Sequence, residues 1–259
     1  MPNTVLELTD SHAHIDDASF ASDREAMFRR AREAGIRHIV VPAIDQASWP
    51  GIAELCADHT QALPAYGMHP IYIDQHRPEH IQQLVAWLKT HRAVAVGEIG
   101  LDYFLPELDV ERQREYFLQQ LHVARDFDLP VIVHARRAMD EVTSTMRRIG
   151  GLRGVVHSFS GSLQQAERLW EMGFHLGIGG PVTYERAQRL RHIVATMPIE
   201  RLLLETDAPD QPGACHRGER NEPSNIVEVL NVIAELRGES PEAIAAATTR
   251  NARTLFRFD

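Results

Sequence analysis

Short apolar runs alternate with helix-like segments along the chain. Several of the runs are almost continuous in valine, isoleucine and leucine, which is typical of strands covered on both faces. Between them, apolar residues recur at helical spacing, as in residues 81–88, and Ser240 followed by Pro241 predicts a helix start. The apolar runs cover residues 5–12, 38–43, 62–69, 93–100, 130–135, 154–160, 174–180 and 201–209.

This alternation predicts a parallel sheet, and eight strand–helix units favour a closed barrel over an open sheet. An open doubly wound sheet is the alternative, but it usually has a glycine-rich loop after its first strand. Here the first run ends in Asp10-Ser11-His12-Ala13-His14. We therefore expect an α/β fold of the TIM (β/α)8 type, as a single domain over residues 1–259, with its site at the carboxyl ends of the strands.

Composition and charge narrow the class of protein. The 259 residues suit one α/β barrel, and 44% hydrophobic with 24% charged residues exclude general disorder. The chain has 27 basic and 36 acidic residues, a net charge of −9 with neutral histidines. This argues against nucleic-acid binding through a broad basic surface, but not against a nucleic-acid enzyme whose positive charge comes from bound metal.

Other residue types exclude further classes. Two cysteines, Cys56 and Cys215, provide neither a disulfide framework nor a four-cysteine zinc module. The chain has one lysine, so a catalytic lysine or the lysine of a phosphate-binding loop would have to be Lys89. Residues 1–8 lack a secretory signal, and no apolar run approaches the roughly 18 residues of a membrane helix. We therefore expect a cytoplasmic protein without a membrane partner.

Histidines and carboxylates are concentrated at the carboxyl ends of the predicted strands. These ends converge on one face of a barrel, and side chains two apart in a strand share a face. Imidazole together with carboxylate suits zinc, manganese, nickel or iron, whereas carboxylates alone suit magnesium. One such histidine is usually an ordinary core or loop residue, but eight residues together predict a metal site. They are His12, His14, His69, Glu98, His134, His157, Glu205 and Asp207.

The remaining histidines are interpreted as ordinary core, helix or loop residues. His216 is of more interest than the others because it lies in the long segment after the eighth run, where loops tend to be functional. These residues are His38, His59, His76, His80, His91, His122, His175, His192 and His216.

Eight short motifs in order along the chain resemble the TatD family of metal-dependent deoxyribonucleases, within the amidohydrolase-like barrels. Each motif alone is weak, but eight in the family's order are highly specific. They are Asp10 to His14, Gly67-Met68-His69-Pro70, Gly97 to Tyr103, Pro130 to Arg136, His157 to Gly161, Gly180-Pro181-Val182, Glu205 to Pro209, and Arg220-Asn221-Glu222-Pro223.

The resemblance implies two divalent metal ions per chain, among zinc, manganese, magnesium and nickel. It places one ion on His12, His14 and Asp207 and the other on His134 and His157, with Glu98 bridging. Related barrels use a carboxylated lysine as the bridge, which this chain lacks at a matching position. Further residues are expected to support the site or to hold phosphate oxygens: His69, Glu205, Arg136, Ser158, Arg220 and Asn221.

The function implied is hydrolysis of phosphodiester bonds from DNA ends by a 3'-5' exonuclease with a two-metal mechanism. Two ions about 3.5 to 4 Å apart can hold a phosphodiester and activate water. Asp207 is expected to orient that water and take its proton, with Glu98 as the second catalytic residue. The expected substrate is single-stranded or frayed DNA, without an obligate protein partner.

Three alternatives stay open at this point. They are a hydrolase of the same fold acting on an ester or amide in a small metabolite or aminoacyl-tRNA, a metal-dependent binding protein, and a purely structural barrel. Two departures from the family pattern, Arg137 and Asp210, would lie near the barrel mouth and affect substrate preference.

Overall fold

A sheet of eight parallel strands, paired in chain order, forms the centre of the computed structural model, which describes residues 6–258. Each predicted run overlaps one strand, and β2, β4 and β5 extend one or two residues beyond their runs; Val5, where the first run begins, lies outside the described residues. The strands are β1 Leu8–Asp10, β2 Ile36–Pro42, β3 Ala62–Tyr66, β4 Ala95–Asp102, β5 Val131–Arg136, β6 Gly154–Val156, β7 His175–Ile178 and β8 Leu202–Leu204.

Backbone hydrogen bonds between the first and last strand ends close the sheet. The Ser11 amide donates to the Leu204 carbonyl at 2.9 Å, and the Asp207 amide donates to the His12 carbonyl at 2.9 Å. With the helices outside, this is the predicted (β/α)8 barrel.

Helices follow the strands and cover their outer faces. The predicted start at Ser240 is confirmed, because its side chain accepts a hydrogen bond from the Ala243 amide. The α-helices are α1 Arg24–Glu33, α2 Trp49–Asp58, α3 Glu79–Leu88, α4 Val110–Asp126, α5 Met139–Ile149, α6 Leu163–Glu171, α7 Gln188–Thr196, α8 Ile226–Arg237 and α9 Pro241–Phe256. Short 3-10 turns lie at Ala18–Phe20, Gln46–Ser48, Pro70–Gln75, Gly180–Thr183, Ile199–Arg201, Ala214–His216 and Pro223–Asn225.

The strands separate two apolar cores. The larger core lies between the strands and the helices and includes Phe117 and Leu121 of α4. The smaller one joins alternate strand residues, among them Ile132 and Leu203, to the end of α9 around Phe256. Alternate residues of a strand point to opposite faces, so the smaller cluster belongs to the barrel interior.

No helix in residues 6–258 has the length and apolar character needed to cross a membrane.

We predict that His175, 7% exposed at the start of β7, makes the fold sensitive to acid. Burial and the Arg201 guanidinium lower the pKa of His175 from 6.5 to about 4. Between these values the unfolded chain binds a proton that the folded chain excludes. The free energy of unfolding therefore falls as pH decreases through this window, by at most about 1.4 kcal/mol per pH unit.

Urea unfolding of wild type and His175→Gln at about pH 7.5 and about pH 5 measures this contribution. We expect the variant to lose less stability than wild type on acidification, because glutamine does not titrate. Equal losses in both proteins would contradict the assignment to His175.

Candidate metal centre

The predicted ligands lie directly above the interior core of the barrel. Ile132 belongs to that core, and His134 stands two residues later on the same face of β5. Leu203 likewise belongs to it, and Glu205 and Asp207 follow at two-residue steps. Within β5 the strand alternation that fills the barrel with apolar residues therefore also directs His134 into its mouth, whereas Glu205 and Asp207 lie beyond the end of β8.

Glu98 of β4 is at the centre of the cluster and is 1% exposed. Its Oε2 lies 3.1 Å from His12 Nε2 and 3.6 Å from His14 Nε2. Its Oε1 lies 3.0 Å from His134 Nδ1 and 2.8 Å from His157 Nε2. The two oxygens of one carboxylate thus face two different pairs of histidines.

Asp207 completes the first of these groups. Its Oδ1 lies 3.4 Å from His12 Nε2 and 3.9 Å from His14 Nε2. Asp207 follows β8 and has a φ of 57°, in the left-handed region, so the backbone is no longer extended at this residue. His12 and His14 also lie beyond the end of their strand, yet their Nε2 atoms are 3.2 Å apart. Loop backbone, rather than strand backbone, positions these three side chains.

Hydrogen bonds determine which ring nitrogens carry lone pairs. His14 Nδ1 donates to the Pro42 carbonyl at 3.1 Å, so its Nε2 is free of a proton in the neutral ring. His134 Nε2 donates to Asp102 Oδ2 at 2.9 Å, which leaves Nδ1 free and facing Glu98. Lone pairs directed at carboxylate oxygens fit a divalent cation between them, and a carboxylate behind a ligating imidazole is the usual support of such sites.

The charge distribution also favours a cation. Burial alone would raise the pKa of Glu98, but His157 and His69 lower it well below its ordinary value. Conversely, burial opposes protonation of His157, but the charge of Glu98 raises its pKa to about 10. Likewise, burial opposes protonation of His14, but the hydrogen bond and charge of Glu98, together with the charge of Asp207, raise the pKa of His14 to about 9. The carboxylates thus attract positive charge, which a divalent ion supplies as well as protons do.

His69 contacts the cluster as a hydrogen-bond donor. Its Nδ1 accepts from the Ile71 amide at 3.1 Å, so Nε2 carries the proton and donates to Glu98 Oε1 at 3.0 Å. His76, which the sequence did not single out, is 2% exposed and bonds the His69 carbonyl through Nε2 at 2.9 Å. His69, Glu98 and His134 are close enough to hold an ion, but this tautomer leaves His69 no lone pair to offer.

Glu205 is fully buried below the ligands. It accepts hydrogen bonds from the Ser158 amide at 2.5 Å and the Ser11 hydroxyl at 3.5 Å. Gly177 makes room for it, since a Cβ there would lie 2.0 Å from Glu205 Oε2. Burial raises the pKa of Glu205 to about 8. These contacts hold Glu205 in place beneath the predicted ligands.

Two carboxylates that were not among the predicted site residues also hold the cluster in place. Asp102 orients His134, as described above. Asp10 accepts from the Thr206 amide at 3.0 Å, the Thr206 hydroxyl at 2.6 Å and the His12 amide at 3.2 Å, which joins the ends of β1 and β8. Both residues lie within motifs noted in the sequence, which was the one signal available for them.

A pocket of about 990 Å³ opens above the cluster. This volume is sufficient for a mononucleotide-sized ligand. Arginines are prominent among its polar walls, and two of them, Arg186 and Arg189, come from the segment after β7 and were missed in the sequence. The lining includes His14, His69, Glu98, His134, Arg136, His157, Ser158, Arg186, Arg189, Asp207 and Asp210.

The structure does not support the phosphate-binding role predicted for Arg220 and Asn221. Arg220 pairs with Asp23 at 2.7 Å and does not line the pocket. Asn221 is 2% exposed, and its amide donates to the Thr206 and Asp210 carbonyls, both at 2.8 Å. Both side chains are engaged in holding the loop after β8 instead.

His216 and Arg137 are also away from the pocket lining. His216 is partly exposed and lies 3.3 Å from Glu219. Arg137 lines a smaller neighbouring cavity.

Comparison with known proteins agrees with the geometry. The profile of the family described as TatD related DNase matches residues 9–257. The metal-dependent hydrolase YjjV of Escherichia coli K12 is 41% identical over 255 residues, covering 97% of this chain and 98% of that protein. The crystal structure of YjjV superposes with a TM-score of 0.95 at 39% identity, covering 99% of this chain and 100% of that one.

A relative from Pantoea vagans, named 3'-5' ssDNA/RNA exonuclease TatD, is 34% identical over 270 residues, covering 96% of this chain and 99% of that protein. The fold, the site and these matches define a metal-dependent hydrolase with a barrel fold. The chain belongs to the TatD family.

We predict that Asp102→Asn weakens metal binding by about 10- to 100-fold. The new amide would donate to His134 Nε2 and transfer the ring proton to Nδ1, which removes the lone pair that faces Glu98. Titration with zinc in competition with a chelator measures the dissociation constant.

Asp109→Asn is the matched control, because Asp109 caps the start of α4 and asparagine caps helices equally well. Wild-type affinity in Asp102→Asn would contradict the tautomer assigned to His134.

Proposed function

We propose that the protein is a divalent-metal-dependent deoxyribonuclease that removes nucleotides from DNA ends in the 3'-5' direction. The observation that carries this proposal is the position of the Glu98 carboxylate. Its two oxygens face separate pairs of histidines, and an arginine-lined pocket lies above them. The name of the Pantoea relative supports the choice of substrate.

In this proposal His12, His14 and Asp207 would hold one ion, and His134 and His157 would hold a second. Glu98 would contribute one oxygen to each group. The histidine content favours zinc, manganese or nickel over magnesium. When bound, such ions polarise a phosphodiester and lower the pKa of water.

Asp207 is the candidate general base. Its Oδ2 accepts from the Gln211 side chain, and Gln211 Oε1 in turn accepts from Ser158 Oγ at 2.8 Å. This fixes the carboxylate so that Oδ1 faces the cluster, 3.4 Å from His12. Oδ1 is the atom that would take the proton of an attacking water.

The pocket wall provides positive charge where a phosphate would lie. Guanidinium groups of Arg136, Arg186 and Arg189 can bind phosphate oxygens with paired hydrogen bonds. Arg136, expected from the sequence, keeps this proposed role, and Arg186 and Arg189 take the place of Arg220 and Asn221. Because the net charge is −9, DNA binding depends on the ions and these few arginines rather than on a broad surface.

The shape of the site favours strand ends. A concave pocket above the barrel admits a terminal nucleotide, whereas a continuous duplex is too broad to reach the floor where Glu98 lies.

We predict that Glu98→Gln lowers nuclease turnover by at least about 100-fold, because an amide replaces one of the two oxygens that the ions share. Elemental analysis of protein purified without chelator should give about two metal equivalents for wild type and fewer for the variant. Circular dichroism should show an intact fold.

Glu107→Gln, in the loop after β4, is the control and should retain wild-type activity and metal content. Full activity of wild type with one equivalent would refute the bridging role of Glu98.

We predict cleavage of an end-labelled linear single strand with release of mononucleotides, and little cleavage of a circular single strand. The KM should show a shallow salt dependence, corresponding to about two or three phosphate contacts at a log–log slope of about −0.7 each.

Efficient cutting of the circle would refute entry from an end. No cleavage of either DNA, with turnover of an ester or amide by the same preparation, would refute the proposed function.

A further inference from the structure

One large hydrophobic side chain stands exposed among residues 6–258. It is Phe104, 39% exposed, in the loop after β4 at the carboxyl end of the barrel. Two guanidinium groups lie over its ring: the Cζ atoms of Arg136 and Arg137 are 3.6 and 4.7 Å from the ring centre. An exposed phenylalanine covered by two cations offers a flat surface of aromatic and guanidinium planes.

The ring is held in place by the candidate metal centre. The Phe104 amide donates to Asp102 Oδ1 at 2.8 Å, while Asp102 Oδ2 accepts from His134. The Tyr103 amide donates to the Arg136 carbonyl at 2.9 Å, which keeps the loop beside the end of β5. The same carboxylate thus fixes both the His134 ring and the backbone that carries Phe104.

The stacked group lies between two cavities. Arg136 lines the pocket above the metal centre, whereas Arg137 and Tyr103 line a second cavity of about 490 Å³. Both cavities include Ala135 and Ser160 in their walls. A strand whose end occupies the first cavity therefore has a route past Ala135 and Ser160 into the second, beside the two arginines that lie over Phe104.

The second cavity is suited to an anion. Its two acidic residues are already paired with arginines of other elements: Glu141 with Arg114 at 2.5 Å and Asp140 with Arg168 at 3.4 Å. Arg137 therefore contributes positive charge that these carboxylates do not fully compensate.

We propose that Phe104, together with Arg136 and Arg137, binds the first nucleotide of the strand that remains outside the pocket. Its base stacks on the ring and guanidinium planes, and Arg137 contacts the phosphate that follows. This inference rests on the proposed nuclease function. Bases stack on aromatic rings and arginine planes without regard to sequence, which matches an enzyme that removes nucleotides successively.

The occupant inferred here is a nucleobase rather than a protein partner. Exposed apolar patches that mark a protein partner usually cover several hundred Å² or more, and a single exposed ring flanked by charges does not form one.

The test compares wild type with Phe104→Ala, Phe104→Leu and Phe104→Trp on two oligodeoxynucleotides. One is intact, and the other lacks the base next to the terminal nucleotide. We expect Phe104→Ala to raise KM for the intact strand by about 5- to 150-fold and to change KM for the abasic strand little. Phe104→Leu should resemble alanine, and Phe104→Trp should resemble wild type.

A second readout does not depend on turnover. Fluorescence of the new tryptophan in Phe104→Trp should be quenched when a nuclease-resistant phosphorothioate single strand binds, and much less by its abasic counterpart. Elemental analysis confirms that the variants keep wild-type metal content, as expected because the backbone contact to Asp102 is retained.

Equal losses on intact and abasic strands, or wild-type KM in Phe104→Leu, would overturn the stacking role while the nuclease function stands. If wild type cleaves neither strand but hydrolyses an ester or amide, the proposed function fails, and this inference fails with it.

Discussion

Burying the Glu98 carboxylate at 1% exposure costs several kcal/mol unless positive charge surrounds it. The barrel meets this requirement by bringing histidines from the ends of four other strands to its two oxygens. His12 lies 3.1 Å from one oxygen, and His157 lies 2.8 Å from the other. Because these histidines lie at or just beyond the ends of four different strands, with His12 and His14 both following β1, the cluster can form only when the barrel closes. Closure of the barrel therefore brings together the histidines that compensate the charge of Glu98, and the same side chains provide the capacity to bind cations.

The supporting carboxylates extend this arrangement outward. Asp10 joins β1 to the segment after β8 through Thr206 and His12, so it positions ligands at the junction that closes the barrel. Asp102 orients His134 with one oxygen and anchors the Phe104 loop with the other. A disturbance of either carboxylate therefore affects both the metal centre and the surface that surrounds it.

Positive charge is concentrated at the pocket of a protein that is acidic overall. A net charge of −9 provides no general attraction for a polyanion, yet arginines from two separate segments, including Arg136 and Arg186, line the pocket. Arg220, which the sequence also predicted to bind phosphate, forms an ion pair with Asp23 instead and does not line the pocket. Positive charge is thus available above the cluster while the remaining surface stays acidic overall.

The sequence by itself determined the eight strands, the barrel and the set of histidines and carboxylates at the strand ends. Strands and helices show themselves in the sequence as apolar residues that repeat every two or about every 3.6 positions, and a strand end is marked by the end of an apolar run. Both signals are local, so the sequence alone contains them. The ends of the strands could not be predicted as well from the sequence. Strand β1 ends at Asp10 and β8 at Leu204, because the residues that follow leave the sheet and enter the barrel mouth. Which oxygen of Glu98 faces which histidine and which arginine reaches the pocket were decided by the tertiary structure alone. Those outcomes depend on contacts between residues far apart in the chain, such as Arg220 with Asp23, and short-range patterns carry no information about such contacts.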